Sequence, residues 1–339
     1  MSERVGDIAR FLAAAGWADA ERRPLAGDAS FRRYVRLVRG GRSMVLMDAP
    51  PPMEDVRPYL RVARHLARLG YSAPAIYAED VERGLLLVED FGDATYTREL
   101  ARGADEGELY TRAVDLLIDL HRRPEANEVA LPPYDDDKLL AEAALLVDWF
   151  LPALRGAPAP ASERGDYLAL WRPLFSIARR VPSTLALRDY HADNLMLLAG
   201  RDRIRACGLL DFQDAVLGPV AYDLVSLLED ARRDVAPELV RTLLRRYLDA
   251  FPALDRTAFK ASYAVLGAQR NAKIIGIFTR LWRRDGKAQY LALIPRVWSL
   301  LEGDLAHPAL EPMRAWFDRH VPPGDRVAPR AAGGGQAGP

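Results

Sequence analysis

Hydrophobic and polar positions along the chain change their period near residue 90. Before that point the pattern is mostly strand-like. Residues 31–38 and 43–47 read as two strands, and Gly40-Gly41 between them is a hairpin signal, because a tight turn there needs positive φ. Pro50-Pro51-Pro52 stops the sheet, since proline cannot donate to a ladder. Val56, Leu60, Ala63, Leu66 and Ala67 then recur at helical spacing, and Gly70 closes that helix. Residues 75–78 and 84–88 give two more strands, and Glu89-Asp90-Phe91-Gly92-Asp93 follows as a polar connector. An amphipathic helix ending near Gly16 precedes the whole group.

Beyond the connector helices dominate. They cover 109–121, 137–150 (Leu139, Ala143, Leu146 and Phe150 on one stripe) and 167–180. A β-rich interlude at 185–211 interrupts them, and further helices run to about residue 319. The Pro/Gly/Ala-rich stretch 323–339 predicts a disordered tail. The element order predicts an α+β chain, with a small antiparallel sheet in residues 1–90 and a larger, mainly helical part in 91–322.

Composition narrows the function classes. With 339 residues the chain can build two cores, and 50% hydrophobic with 28% charged residues is the balance of a globular protein. Lys plus Arg and Asp plus Glu number 47 each, so no net field argues for nucleic acid or a membrane surface as partner. Cys207 is the single cysteine, which rules out an intrachain disulfide and a cysteine-based zinc site. No stretch is long and apolar enough to span a bilayer, and the N-terminus lacks the pattern of a cleaved leader. A cytoplasmic monomer is expected. His65, His121, His307 and His320 lack metal-ligand spacing, and His121, closing a helix, reads as a cationic partner of its dipole.

The informative stretch is Leu187-Arg188-Asp189-Tyr190-His191-Ala192-Asp193-Asn194, followed after an apolar hairpin by Asp211-Phe212-Gln213. Phosphoryl transfer needs a carboxylate to orient the attacking hydroxyl and oxygen ligands for a magnesium ion on the triphosphate. Asp189, Asn194 and Asp211, at the start and end of such a hairpin, supply both. The competing reading makes Asp189 and Asn194 turn formers and Asp211 a helix cap. No nucleophile elbow, Walker phosphate loop or zinc-protease motif is present.

Asp189, Asn194 and Asp211-Phe212 resemble the catalytic loop and metal segment of protein kinases. The missing glycine after Phe212, and the run Gly218-Pro219-Val220-Ala221-Tyr222-Asp223, resemble the aminoglycoside phosphotransferase family more closely. That resemblance implies a bilobal protein-kinase-like fold, with nucleotide bound by residues 1–90 and catalysis and substrate in 91–322. It further implies Asp189 as base, Asn194 and Asp211 as Mg2+ ligands, Asp223 as a brace of the catalytic loop, and ATP as donor. Leu187 departs from the pattern, standing where a histidine is usual.

On the nucleotide side, the turn containing Ala29, Ser30, Phe31, Arg32 and Arg33 stands where this fold covers the phosphates, although a polar surface turn is the blander alternative. Met47 aligns with the lysine that pairs the phosphates, so either Arg32 or Arg33 substitutes or the triphosphate is handled without such a pair. The backbone of Glu89, Asp90 and Phe91 is expected to meet the base.

The likeness sharpens through Ala29-Ser30-Phe31-Arg32-Arg33-Tyr34, Leu46-Met47-Asp48-Ala49-Pro50-Pro51 and Arg270-Asn271-Ala272-Lys273-Ile274-Ile275-Gly276. From about residue 29 to 322 the chain is similar to the bacterial anomeric kinases for N-acetylmuramate and N-acetylglucosamine in peptidoglycan recycling. Such a resemblance implies an amino-sugar substrate phosphorylated on its 1-hydroxyl. Arg270, Asn271 and Lys273 on one helix, Glu142 and Trp149 on an earlier one, and His191 and Asp214 beside the loop are the expected substrate contacts. The alternatives are a solvated helix face for Arg270 and Lys273 and a core position for Trp149. An aminoglycoside or choline acceptor, favoured by Asp135-Asp136-Asp137, and a nucleotide-binding pseudokinase, favoured by Met47, are the rival functions.

Overall fold

A computed structural model describes residues 2–25 and 31–330. Helix α1 (Ser2–Ala14) leads into β1 (Glu21–Pro24), β2 (Arg33–Arg39), β3 (Arg42–Asp48), α2 (Arg57–Arg68), β4 (Ile76–Asp80) and β5 (Leu85–Glu89). Helices α3 (Tyr96–Ala101) and α4 (Glu106–Arg122) follow, then α5 (Asp136–Leu145), α6 (Leu151–Arg155), α7 (Ala161–Ala178) and β6 (Ser183–Ala186). The hairpin β7 (Leu195–Leu197) and β8 (Cys207–Leu209) comes next. Strand β9 (Val216–Pro219) and helices α8 (Tyr222–Leu228), α9 (Pro237–Ala250), α10 (Arg256–Asp285), α11 (Ile294–Leu305) and α12 (Glu311–His320) complete the order.

Packing divides the chain into two compact units, and not at residue 90. The first takes the described residues up to Leu131 together with Leu187–Ala215; the second takes Pro132–Ala186 and the described residues from Val216 onward. The first runs past residue 90 because α4 packs on the segment around Asp189, with the Tyr190 hydroxyl donating to the Ala113 carbonyl at 2.8 Å.

In the first unit, β1-β2-β3-β5-β4 form an antiparallel sheet. Gly40 and Gly41, at φ 56° and 75°, close the β2–β3 hairpin as a type I′ turn requires. Strand β1 escaped the sequence reading because Glu-Arg-Arg-Pro shows no alternation. It lies exposed at the sheet edge, where charge and proline are tolerated. Period-two alternation gives the sheet two faces. Leu37, Met44, Leu46, Leu85 and Leu87 pack with Phe11, Leu12 and Trp17 on one side. Tyr34, Arg36, Val45 and Met47 point to the other, where a cavity opens.

In the second unit, α10 is a 30-residue helix packed by α5, α7, α8 and α11, so most of its length is buried. Gly276 lets it approach the backbone of Leu145, and Gly267 receives the Asp304 carboxylate of α11. Strand β6 pairs β9. Part of the expected disordered tail is placed. Arg326 donates to the Val321 carbonyl at 2.9 Å and pairs with Glu302 and Asp318, which ties this residue to the unit; residues 331–339 lie outside the described ones. His121 on α4 is also corrected. Burial pushes its imidazole down to about 3, so at neutral pH it carries no charge for the helix dipole.

Candidate active site

The cavity on the open face of the first unit's sheet has a volume of about 500 Å³. Its roof is the inward phase of β2 and β3, and its floor includes Met196 of β7 together with Leu210, Asn194 and Asp211. Gly208 on β8 is required there. A Cβ on it would lie 3.0 Å from the Phe91 ring and 2.9 Å from the Leu198 side chain.

The connector between β5 and α3 is held from two sides. The Arg36 guanidinium, on β2, lies 2.7 Å from the Asp90 carboxylate and 2.9 Å from that of Asp93, and donates to the Gly92 carbonyl at 3.0 Å. Arg201 stacks 5.2 Å from the Phe91 ring centre and pairs with Glu89, whose carboxylate also accepts the Ala75 N–H. The acidic side chains of Glu89 and Asp90 are thus engaged in fixing the connector, which leaves its backbone and Phe91 to meet a ligand. Sequence reasoning missed Arg36. Its signal was the phase of β2, in which it shares a face with Tyr34.

The catalytic segment is shaped by its own polar groups. Arg188, just before Asp189, adopts φ 71°, and Asp211 adopts φ 58°. Left-handed backbone at a non-glycine residue is a cost that the surroundings must hold in place. Here Asn194 Nδ2 donates to the Asp189 carbonyl at 3.0 Å, the Leu210 N–H donates to the Asn194 carbonyl at 3.0 Å, and Thr97 holds Asp193. These bonds bring Asn194 to 3.5 Å from the Asp211 carboxylate and set the His191 ring 3.3 Å from the Asn194 amide. Gln213 donates to Asp211 at 2.8 Å, and Phe212 stacks on Tyr59 of α2 at 5.0 Å.

Burial, and then the charge of Asp189, push the Asp211 carboxyl above its ordinary range, against the opposing Gln213 hydrogen bond and the positive charge of Arg32. Two carboxylates so placed favour a cation. Among the described residues no set of three His, Cys, Asp or Glu is gathered for a metal. Asp211 with the Asn194 amide oxygen fits magnesium, a hard cation that keeps water and phosphate oxygens as its remaining ligands.

The other expected residues fall as follows. Ala29 and Ser30 lie outside the described residues. Phe31 is exposed, Arg33 begins β2, and Asp214 is exposed with its carbonyl 3.4 Å from Arg188. Met47 is 1% exposed and lines the cavity, so an apolar side chain stands where a cation was sought.

In the second unit, Glu142 and Lys273 come together at 3.4 Å, with the Tyr134 hydroxyl donating to Glu142 at 2.6 Å and Lys273 donating to the Tyr222 hydroxyl at 3.1 Å. Both tyrosines were missed, although Tyr222 lies in the quoted Gly-Pro run. Arg270 and Asn271 reach no open surface. Arg270, 4% exposed, donates to Ser226 at 2.9 Å, while Asn271, fully buried, donates to Glu229 at 2.8 Å and Asp304 at 2.9 Å. The solvated-face alternative fails as well, because α10 is covered around these positions. Trp149 is half-buried in a π-helical turn, and Asp223 is 1% exposed at the start of α8.

A five-stranded antiparallel sheet beside a catalytic hairpin, within a mainly helical chain, defines the protein-kinase-like class. The chain is similar in fold to a choline/ethanolamine kinase family protein from Mesorhizobium loti (TM-score 0.61, 14% identity, covering 92% of this chain and 98% of that one). It is likewise similar to an aminoglycoside-3'-phosphotransferase of type VIII (TM-score 0.51, 19% identity, 77% and 97% covered). Residues 21–259 match the phosphotransferase enzyme family, and the chain belongs to it. Among its relatives, the N-acetylmuramate/N-acetylglucosamine kinase of Caulobacter vibrioides is 41% identical, over 95% of this chain and 98% of that protein. That of Pseudomonas aeruginosa is 38% identical, over 88% of this chain and 89% of that protein.

Proposed function

We propose that the chain transfers the γ-phosphoryl group of ATP to the anomeric hydroxyl of N-acetylmuramate or N-acetylglucosamine, a step of peptidoglycan recycling. The observation that carries this reading is the 41% identity to the Caulobacter vibrioides kinase across 95% of the chain, which takes in the sheet, the catalytic segment and the helical unit alike. Asp189 orients the sugar hydroxyl and accepts its proton as the new oxygen–phosphorus bond forms. The bond from the γ-phosphorus to the β–γ bridging oxygen breaks, and ADP leaves. Asn194 and Asp211 would hold magnesium, which neutralises triphosphate charge when bound. The base sits against Phe91 and the connector backbone.

Glu142 and Lys273, with Tyr134 and Tyr222, are the candidates for the sugar's polar groups; His191, Asp214 and Trp149 remain secondary ones. Asp223 is assigned a bracing role. Two of the three acids that favoured a polycationic acceptor are engaged locally. Asp135 caps α5 by accepting the Lys138 N–H at 2.9 Å, and Asp136 pairs with Arg179.

The test is NMR of the protein with ATP, magnesium and each amino sugar. A new phosphorus signal coupled to the anomeric proton is the expected result; ATP consumption without that coupling discards the position, and no phosphorylation of either sugar discards the acceptor. Asp189→Asn should lower kcat by about 10²–10⁴-fold with little change in nucleotide affinity. Near-normal turnover in that variant would remove Asp189 from the role of base.

A further inference from the structure

A triphosphate carries several negative charges, and a site that binds it needs a fixed cation besides any metal. Strand β3 offers none. Its cavity-facing residues are Val45 and Met47, both apolar. Among the described residues only two cationic side chains line this cavity, Arg32 and Arg36. Arg36 is committed to the connector through Asp90, Asp93 and the Gly92 carbonyl.

Arg32 makes none of these contacts with the connector and pairs instead with Glu54. It lines the cavity together with Asn194 and Asp211, the expected metal ligands. Its side chain is 13% exposed, and Nε lies 3.6 Å from a carboxylate oxygen of Glu54, itself 18% exposed. The second oxygen of Glu54 accepts the Phe31 N–H at 3.1 Å, and the Glu54 N–H donates to the Pro50 carbonyl at 3.2 Å. Glu54 therefore grips both the backbone and the side chain of the segment that carries Arg32. It lies just before α2, whose Tyr59 stacks on Phe212 beside Asp211. The loop holding Glu54 is thereby tied to the residue that would hold the metal.

We propose that Arg32 is the triphosphate-binding cation of this chain and that Glu54 is the positioning residue that aims it, the pair replacing a strand lysine whose place Met47 fills. A guanidinium has several N–H donors in a fixed plane, so one edge can meet Glu54 while another faces phosphate oxygens. The proposal rests on the phosphotransferase reading of the site, but its test does not need the sugar.

Dissociation constants of ATP and of adenosine, measured by calorimetry with magnesium present, separate phosphate recognition from base recognition. Arg32→Met should weaken ATP by about tenfold or more while adenosine changes less than about twofold, since hydrogen bonds to charged groups carry effects of this size. Arg32→Lys should recover part of the loss. Glu54→Gln should raise the ATP constant and lower kcat without moving adenosine. The charge-swapped double variant R32E/E54R distinguishes aiming from bracing: it should restore the melting temperature of the single variants and leave ATP binding weak.

ATP affinity within twofold of wild type in Arg32→Met overturns the assignment of Arg32, and an unchanged Glu54→Gln overturns that of Glu54. A wild-type protein that binds adenosine as tightly as ATP overturns both. If the ATP preference depends on Arg32 but neither sugar is phosphorylated, the acceptor reading fails and this inference stands.

Discussion

Asp211 adopts φ 58° and keeps its carboxyl in a buried place beside Asp189. Backbone strain and charge crowding at one residue mark a position held for its chemistry rather than for stability. His121 is the contrasting case, a titratable ring with no assigned chemistry and its pKa pushed down to about 3 by burial. Below the ordinary value of 6.5 the unfolded chain takes up a proton that the folded chain refuses until about 3, so this residue makes stability fall as pH drops through that window. His121→Leu should therefore gain melting temperature relative to wild type at pH 5 compared with pH 7.5. An equal difference at both pH values would show that His121 does not contribute. The sequence offered both residues, but only for Asp211 did the neighbouring motif suggest a role. The burial of His121 comes from packing that its helical position does not announce.

At the scale of elements, the strands and the hairpin were legible because their signals are local. Gly40-Gly41 sets the β2–β3 turn, and alternation sets which residues face the cavity. Helix α10 was misjudged for the opposite reason. Its stripe of Arg270 and Lys273 reads as one face for water or substrate, yet neighbouring helices cover it: Arg270 donates to the buried Ser226 hydroxyl, and Lys273 pairs with Glu142. The glycines within α10 carry the same lesson. Gly276→Ala would gain about 1 kcal/mol of helix propensity. Its Cβ, however, would sit 2.3 Å from the Leu145 carbonyl carbon, which is backbone and cannot rotate away. Overpacking at about 1–3 kcal/mol should win, lowering the denaturant midpoint; a raised midpoint would show that the helix–helix approach is not tight.

For the whole molecule, the division into units is discontinuous in sequence. A fragment ending at Leu131 lacks the segment Leu187–Ala215, which supplies the Tyr190 bond to Ala113, the bridge from Gly208 to Ser72 and the stack of Phe212 on Tyr59. Such a fragment should show no cooperative thermal unfolding by circular dichroism. A sharp transition would mean that the sheet and α4 suffice as a core.

By itself the sequence determined the class of the protein and the alternation that points the sheet inward, and it nominated residues for the nucleotide and the metal. These are encoded over a few adjacent positions, in motif spacing, turn chemistry and period. Only the tertiary structure decided which charges on α10 are buried, that the segment Leu187–Ala215 belongs with the sheet unit, and that Arg32 pairs with Glu54. Such pairings join residues distant along the chain or on separately read elements. Chain closure and desolvation select them, and no local pattern records the outcome.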